Sequence, residues 1–365
     1  MHTTSSACFS STYLEARQRF LDAAHAVNAD VHSHALDAAS PDKLSIDVAT
    51  LGEPHDPALV ISSGIHGVEG YFGSAVQLAL LQQLKLANHR KNIRYVLIHG
   101  VNPYGFAQGR RVNEDNTDLN RNFMVNDSAY AGAPEGYARL NNLLNPPSPP
   151  SRFEPFKLKM LWKISTPGLQ TLKQSVAGGQ YQYPRGLFFG GTGPCASTRI
   201  VQNNCDDWLA ASPRIVHLDL HSGLGPFGTY KLLLNEAPDS AHYAWYIEAF
   251  GAGHIEPPTG ETAYQTTGEF GLWMQHHFHA REYRFGCAEF GTYGVIRVLA
   301  ALRAENRAHH YCAADSADFV RARNELRECF CPDSALWRQR VVASALRLLG
   351  QSAQALSADT SSAKN

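Results

Sequence analysis

The feature that most constrains the fold is a strand–helix–strand pattern between residues 58 and 99. Residues 58–63 and 93–99 are short apolar runs rich in β-forming side chains, and residues 69–86 between them carry apolar side chains at helical spacing. A helix between two successive strands usually joins parallel neighbours in one sheet. Ligands then bind at the carboxyl ends of the strands, so this edge is where we expect a functional site.

Further segments extend the pattern along the chain. A helical pattern covers residues 13–27, and the region from 295 to 350 is mostly helical by period. Additional strands are predicted at residues 44–51, 214–221, 229–234 and 284–290. The sequence therefore predicts an α/β fold, with a mixed, mostly parallel central sheet flanked by helices.

One domain, residues 1–350, accounts for this order better than two. A proline-rich run at 145–150 opens a glycine-punctuated stretch that ends near residue 193. We interpret residues 145–193 as an insertion that could act as a lid over a cleft, rather than as a linker. Residues 351–365 are small and polar, and we expect them to form a flexible tail.

Composition excludes several classes of partner. The 365 residues include 32 Lys+Arg and 33 Asp+Glu without a basic run, which argues against nucleic acid. The seven cysteines are scattered without a CxxC pair, which argues against a disulfide framework or a cysteine zinc site. No apolar segment of about 18 residues or signal-like start is present, so we expect no membrane partner and a cytoplasmic location. The oligomeric state stays open.

The first candidate for chemistry is the motif His66-x-x-Glu69, which directly follows the 58–63 strand. An imidazole and a carboxylate three residues apart can converge on one ion, and both are ordinary zinc ligands. The spacing alone is weak, because His279-x-x-Glu282 repeats it and a polar helix face would also explain it. The cluster around residues 276–279 lacks a preceding strand and is more typical of a solvated surface, yet it stays the rival metal site.

A third ligand is available in the 214–221 strand. Because strand side chains alternate between faces, His217, Asp219 and His221 share one face. A catalytic zinc needs three protein ligands and one open position, so His221 is the best partner for the first motif. Asp219 would then line or support the site. The alternative is an edge strand whose polar face meets solvent.

Two other regions carry charged groups suited to catalysis. Glu289 stands among apolar and small residues after a strand, where a partly desolvated carboxylate can act as general base toward water activated by zinc. The polar stretch 110–123 contains arginines, whose planar donors suit carboxylates and developing oxyanions. The alternatives are a structural Glu289 that caps or pairs with an arginine, and a solvated loop with internal ion pairs.

Taken in order, these motifs resemble the M14 zinc metallocarboxypeptidases. The matching elements are His66-x-x-Glu69, Asn102-Pro103-Tyr104-Gly105, Arg111, Asp118-Leu119-Asn120-Arg121-Asn122-Phe123, His221 and Glu289. Segments 179–181, 186–188, 219–223 and 289–293 more closely resemble a bacterial M14-like branch known as DUF2817. The resemblance covers the chain up to about residue 310. It implies a zinc carboxypeptidase-like fold and one Zn²⁺ ion per chain.

The resemblance also implies a role for the catalytic and metal-binding residues. His66, Glu69 and His221 would be the zinc ligands. Arg111 would polarise the substrate carbonyl and stabilise the oxyanion, although Arg110 stands in tandem with it and could take that place. Glu289 would be the general base and acid.

Substrate-binding roles follow in the same way. Asn120 and Arg121 would hold a carboxylate of the substrate. Tyr264 resembles the mobile tyrosine that closes over substrate in carboxypeptidases, with Tyr293 as the nearby alternative.

The function implied is hydrolysis of an amide bond next to a free carboxylate, in a small peptide. An insertion that roofs the cleft would also suit a deacylase or esterase acting on N-acyl amino acids, as in the aspartoacylase and succinylglutamate desuccinylase branch. A non-catalytic zinc-containing binding protein is the third possibility. Because three arginines and an ion would converge in one cleft, we expect the site of this nearly neutral chain to be locally cationic, which favours a carboxylate-bearing substrate.

Overall fold

A computed structural model describes residues 5–37, 44–87, 92–126, 128–151, 153–156, 158–160, 176–257 and 266–362. Within these residues, eight strands form one mixed sheet of order β1-β2-β4-β3-β5-β8-β6-β7. The strands are β1 (Asp30–Ala35), β2 (Ser45–Leu51), β3 (Ala58–Ser63), β4 (Arg94–His99), β5 (Arg214–Ser222), β6 (Tyr230–Leu233), β7 (Ile255–Glu256) and β8 (Glu282–Phe290).

The middle of the sheet is parallel. Strands β4, β3, β5 and β8 run parallel side by side, and β2 and β6 flank them antiparallel. Strands β3 and β4 are buried along their whole length, as expected for strands covered on both faces. The predicted mixed, mostly parallel sheet flanked by helices is confirmed. Because the carboxyl ends of β3, β5 and β8 meet at one edge, the residues that follow them come together there.

The helices pack on both faces of the sheet. They are α1 (Tyr13–His25), α2 (Gly70–Ala87), α3 (Pro103–Gln108), α4 (Tyr137–Leu144), α5 (Ala196–Leu209), α6 (Ala241–Phe250), α7 (Phe270–His277), α8 (Val295–Tyr311), α9 (Ala317–Phe330) and α10 (Ala335–Ser362). Short 3-10 turns lie at Ser5–Cys8, Gly67–Glu69, Leu119–Arg121 and Ala252–His254.

The three largest apolar clusters among the described residues hold these layers together. Helices α1, α2, α6 and α10 cover one face of the sheet, where Phe20, Phe72 and Trp337 are fully buried. Helices α5 and α7 cover the other face. Helices α4, α8 and α9 form a third cluster with the described part of the insertion. Each large side chain buried in this way contributes about 1.5–3 kcal/mol to folding.

The insertion is anchored to α8 by charge. Glu154 accepts hydrogen bonds from Arg303 and Arg307, and Arg307 also donates to the Ser148 and Pro149 carbonyls. These contacts fix the start of the insertion on the outside of the third cluster. Its action as a lid stays a prediction.

The end of the chain differs from the expected flexible tail. Helix α10 continues to Ser362, so residues 351–362 are helical. Ala353 and Leu356 are buried in the first apolar cluster, and the Ser352 hydroxyl donates to the Leu348 carbonyl. A few apolar side chains at helical spacing are enough to dock this polar segment.

Among the described residues, none of the helices combines the length and the apolar character that a membrane span requires.

Candidate metal centre

Three predicted ligands converge at the carboxyl edge of the sheet. His66 lies in the loop after β3, Glu69 ends the 3-10 turn that leads into α2, and His221 lies near the end of β5. His66 Nδ1 lies 2.9 Å from Glu69 Oε1, and His221 Nδ1 lies 3.2 Å from Glu69 Oε2. All three side chains are buried. The Glu69 carboxylate therefore faces both imidazoles through the same kind of ring nitrogen.

This donor set fits zinc. In a tetrahedral zinc site with bonds of about 2.0–2.1 Å, ligand atoms lie about 3.3 Å from each other. The separations of 2.9 and 3.2 Å are of that size. The opposite ring nitrogens face aspartates: His221 Nε2 bonds Asp219 Oδ2 at 2.6 Å, and His66 Nε2 lies 3.2 Å from Asp118 Oδ1. A metal-ligating histidine typically has such a carboxylate behind it.

The carboxylates of the cluster are held ionised. Burial raises the pKa of Glu69, but His66 and His221 outweigh it and hold the pKa below its ordinary value. Burial likewise raises the pKa of Asp118, but Arg111 and His66 hold it well below the usual range. A buried set of anionic and imidazole donors is the environment a divalent cation requires.

The tandem arginines point in different directions. Arg111 Nη1 lies 3.7 Å from Glu69 Oε1, and its Nε donates to Asp118 Oδ2 at 2.9 Å. Arg110 Nε instead donates to Glu305 Oε1 on α8 at 2.7 Å. The structure thus brings Arg111, and not Arg110, to the metal-ligand cluster.

A pair of glycines joins the ligand turn to the arginine segment. A Cβ atom on Gly67 would lie 2.1 Å from the Gly105 carbonyl carbon, so only glycine fits there. The Gly67 amide donates to the Arg111 carbonyl at 3.1 Å. Asn102 caps α3 by accepting from the Gly105 amide, and its side chain donates to the Arg111 carbonyl. The Asn102–Gly105 motif therefore supports both segments.

Glu289 lies beside the cluster at the end of β8. It is opposite His221 in the β5–β8 register, and its Oε1 accepts from the Leu224 amide at 2.8 Å. The side chain is buried, with 8% of its surface exposed. Burial first, and then the negative charge of Glu69, raise the pKa of Glu289 to about 7. A carboxylate with this pKa exchanges protons near neutral pH.

Other predicted substrate residues have partners elsewhere. Asn120 Oδ1 accepts from the Phe270 amide at 3.0 Å. Arg121 is 1% exposed, and its Nε and Nη2 donate to the Ala177 carbonyl of the insertion at 3.0 and 2.7 Å. The Tyr293 hydroxyl donates to Glu328 on α9. Tyr264 lies outside the described residues. Carboxylate binding by Arg121 stays a prediction, because its guanidinium is covered in this conformation.

The rival histidine cluster lies on the surface. His277 Nε2 contacts Asp206 Oδ2 at 2.9 Å, and both side chains are exposed. The third group near them is the buried Cys205, whose pKa burial raises to about 12. His279 is exposed, and its ring bonds the His276 carbonyl. The group of Cys205, Asp206 and His277 thus offers one imidazole and no buried carboxylate, unlike the cluster at β3 and β5.

Comparison with protein families identifies the family of the chain. The family described as "Protein of unknown function (DUF2817)" matches residues 9–344. No curated protein sequence matches the chain.

Several solved structures are similar to the chain, including the following three. Carboxypeptidase A from Helicoverpa armigera is 11% identical, with a TM-score of 0.51 over 87% of this chain and 73% of that one. Bovine thrombin-activatable fibrinolysis inhibitor is 12% identical (TM-score 0.48, 93% and 98% covered). Succinylglutamate desuccinylase from Chromobacterium violaceum is 13% identical (TM-score 0.40, 86% and 74% covered). By the family match the chain belongs to the DUF2817 family, and by the first of these structures its fold is that of carboxypeptidase A.

Proposed function

We propose that this chain is a zinc-dependent hydrolase that cleaves an amide bond next to a free carboxylate. The observation that carries the proposal is the set of three buried ligands, His66, Glu69 and His221, with Glu289 and Arg111 beside them at one sheet edge. Zinc held by these ligands would polarise a carbonyl group and lower the pKa of a water molecule toward neutrality.

Glu289 is the proposed proton carrier. With a pKa near 7, its carboxylate can accept the proton of the attacking water and later deliver it to the departing amine. The hydrogen bond from the Leu224 amide occupies Oε1 and fixes the side chain. The second oxygen, Oε2, is then the atom we assign to proton transfer.

Arg111 is the proposed stabiliser of negative charge. Its Nε bond to Asp118 fixes the guanidinium plane, and Nη1 faces the cluster near Glu69. Negative charge that develops on a carbonyl oxygen in this buried place would be stabilised by the guanidinium more strongly than in water. Arg110 would act through structure alone, since it is bound to Glu305.

Recognition of the substrate carboxylate is assigned to Arg121 and Asn120. Arg121 would have to exchange its bonds to the Ala177 carbonyl for the substrate, which would couple binding to movement of the insertion. Arg121→Lys should therefore raise KM more than it lowers kcat, because lysine lacks the planar fork. Equal effects on KM for substrates with and without the carboxylate would contradict this assignment.

The decisive experiment measures metal content together with hydrolysis. Purified wild-type protein should hold one zinc per chain, and His66→Ala should hold none. His279→Ala, which changes the exposed histidine of the other HxxE motif, is the matched control and should bind zinc normally. A wild-type protein without stoichiometric zinc would refute the proposal.

A substrate panel then separates the chemistries. Dipeptides should be hydrolysed if the enzyme is a carboxypeptidase. Turnover of N-acyl amino acids or esters alone would identify a deacylase or esterase with the same metal core. Bound zinc without turnover of any panel member would indicate a binding protein.

A further inference from the structure

A continuous line of buried polar side chains extends behind the ligand His221. It crosses three parallel strands, from Tyr283 on β8 to His217 on β5, to Ser62 on β3, and back to Asp219 on β5. The successive separations are 2.6 Å (Tyr283 Oη to His217 Nδ1), 2.7 Å (His217 Nε2 to Ser62 Oγ), 2.6 Å (Ser62 Oγ to Asp219 Oδ1) and 2.6 Å (Asp219 Oδ2 to His221 Nε2). Each member is at most 5% exposed.

The chemistry of the groups fixes the direction of every hydrogen bond. An aspartate carboxylate only accepts, and a serine hydroxyl has one proton, so Ser62 donates to Asp219. Ser62 must then accept from the Nε2–H of His217. Burial lowers the pKa of His217 to about 4, so the ring is neutral and its Nδ1 accepts from the Tyr283 hydroxyl.

At the other end, the line reaches a proposed zinc ligand. Asp219 Oδ2 accepts from the Nε2–H of His221. This leaves Nδ1 as the atom of His221 that faces Glu69. The line therefore specifies which nitrogen of His221 can bind an ion.

We propose that Ser62, His217 and Tyr283 are positioning residues that act through Asp219 to fix the tautomer and ring orientation of His221. The proposal rests on the proposed zinc function for its consequence, which is tight metal binding at His221. Outer partners of a ligating histidine orient its ring and raise its basicity.

The surroundings hold the line rigid. The His217 ring packs edge-on against Phe270 and Phe285, at centroid distances of 5.4 and 5.0 Å. A buried polar group without a partner would be costly, and here every group of the line has at least one hydrogen-bond partner within it. Apolar side chains would fill this space without that requirement, so packing alone does not explain four polar groups in sequence.

The first test determines the His217 tautomer directly. Nitrogen-15 NMR of histidine-labelled, metal-free protein should show a proton on His217 Nε2 and none on Nδ1, with His217→Asn used to assign the signal. Tyr283→Phe should change the nitrogen-15 chemical shift of His217 Nδ1, because this nitrogen loses the hydroxyl that donates to it. A proton on His217 Nδ1 would overturn the proposal, whether or not the protein binds zinc.

The second test measures zinc affinity by competition with a chelator. Ser62→Ala should weaken binding by about 10–100-fold, the usual cost of losing an outer partner, and Tyr283→Phe should act in the same direction by a smaller factor. The d–d absorption of the cobalt-substituted protein should shift in both variants.

Matched controls exist for both substitutions. Ser63→Ala removes the neighbouring hydroxyl, which bonds Gln77, and Tyr246→Phe removes a buried tyrosine hydroxyl that bonds the Phe285 carbonyl. Zinc affinities of Ser62→Ala and Tyr283→Phe equal to those of the controls would overturn the proposal. Wild-type protein without zinc would refute the proposed function, while the NMR result would still decide the hydrogen-bond line.

Discussion

Replacing Glu289 by glutamine separates its chemical role from its structural one. A glutamine carbonyl oxygen can still accept the 2.8 Å hydrogen bond from the Leu224 amide, so the loop after β5 should keep its place. The amide cannot accept a proton from water. General acid–base catalysis contributes about 10²–10⁴-fold to rate, so kcat/KM should fall by that factor while zinc content is unchanged.

Although the same substitution should reduce activity, it should increase the folding stability of the metal-free protein above neutral pH. The pKa of Glu289 is raised from 4.5 to about 7, mainly by burial and then by Glu69. Because the folded chain prefers the protonated form, its stability falls as pH rises through 7, and the ionised carboxylate then costs about 3 kcal/mol. In the metal-free protein, Glu289→Gln should therefore be more stable at pH 8 by up to that amount, with the gain vanishing toward pH 4.5.

Three measurements on each protein test this reasoning: hydrolysis of the substrate panel, zinc per chain, and urea unfolding of metal-free protein at pH 5 and pH 8. Glu325→Gln, at an exposed glutamate paired with Arg297, is the matched control and should leave all three nearly unchanged. Wild-type turnover in Glu289→Gln would refute the catalytic role. Loss of turnover together with loss of zinc would show that the residue supports the metal instead.

Three further predictions concern packing, acid stability and metal. Gly67→Ala should lower the free energy of unfolding by about 1–3 kcal/mol or more, because its Cβ would lie 2.1 Å from the Gly105 carbonyl carbon. Gly350→Ala in α10 is the control, since its Cβ would meet open space. Equal melting temperatures of the two variants would contradict this prediction. Burial raises the pKa of Glu154, but its two arginine partners lower it to about 2, so the stability it provides is present above pH 4.5 and lost as pH falls. Urea unfolding of Glu154→Gln should show a deficit at pH 7 that shrinks at pH 3, and a constant deficit would refute it. Zinc added to chelated protein at 100 times Kd should stabilise it by about 2.7 kcal/mol in thermal unfolding, and His66→Ala should not respond.

The strands of the sheet could be predicted closely because their sequence signal is local. The run 58–63 coincides with β3, and the expected strand at 214–221 becomes β5 with one residue more. Strand β1 was not predicted, since its residues are polar and mostly exposed, and its pairing with β2 defines it. The helical end of α10 could not be predicted from composition, because the segment is mostly small and polar and only a few side chains, such as Ala353 and Leu356, are buried.

The convergence of His66, Glu69 and His221 could be predicted because each lies at or just after the carboxyl end of a strand, and these ends meet at the same edge. The edge-strand alternative for His217, Asp219 and His221 is wrong, since β5 lies between β3 and β8. The place of Asp118 could not be predicted, because its contacts with His66 and Arg111 depend on the path of the polar stretch. No local pattern links it to His66.

Hydrogen bonds between side chains on different strands could not be predicted from the sequence either. Ser62 meets Asp219 through strand register, and Tyr283 meets His217 from a third strand. Arg121 donates a hydrogen bond to the carbonyl of Ala177, which lies far from it in the sequence. Such contacts follow from tertiary packing, which a periodic pattern does not encode.

The contact between Gly67 and Gly105 bears on how this site could change in other chains or in design. The amides of Gly67 and Val68 donate to the Arg111 and Arg110 carbonyls, so the ligand turn and the arginine segment are joined main chain to main chain. Hydrogen bonds between main-chain atoms do not depend directly on which side chains the residues have. With the glycine pair kept, the two segments would stay joined when the side chains that they present to the site are exchanged for others.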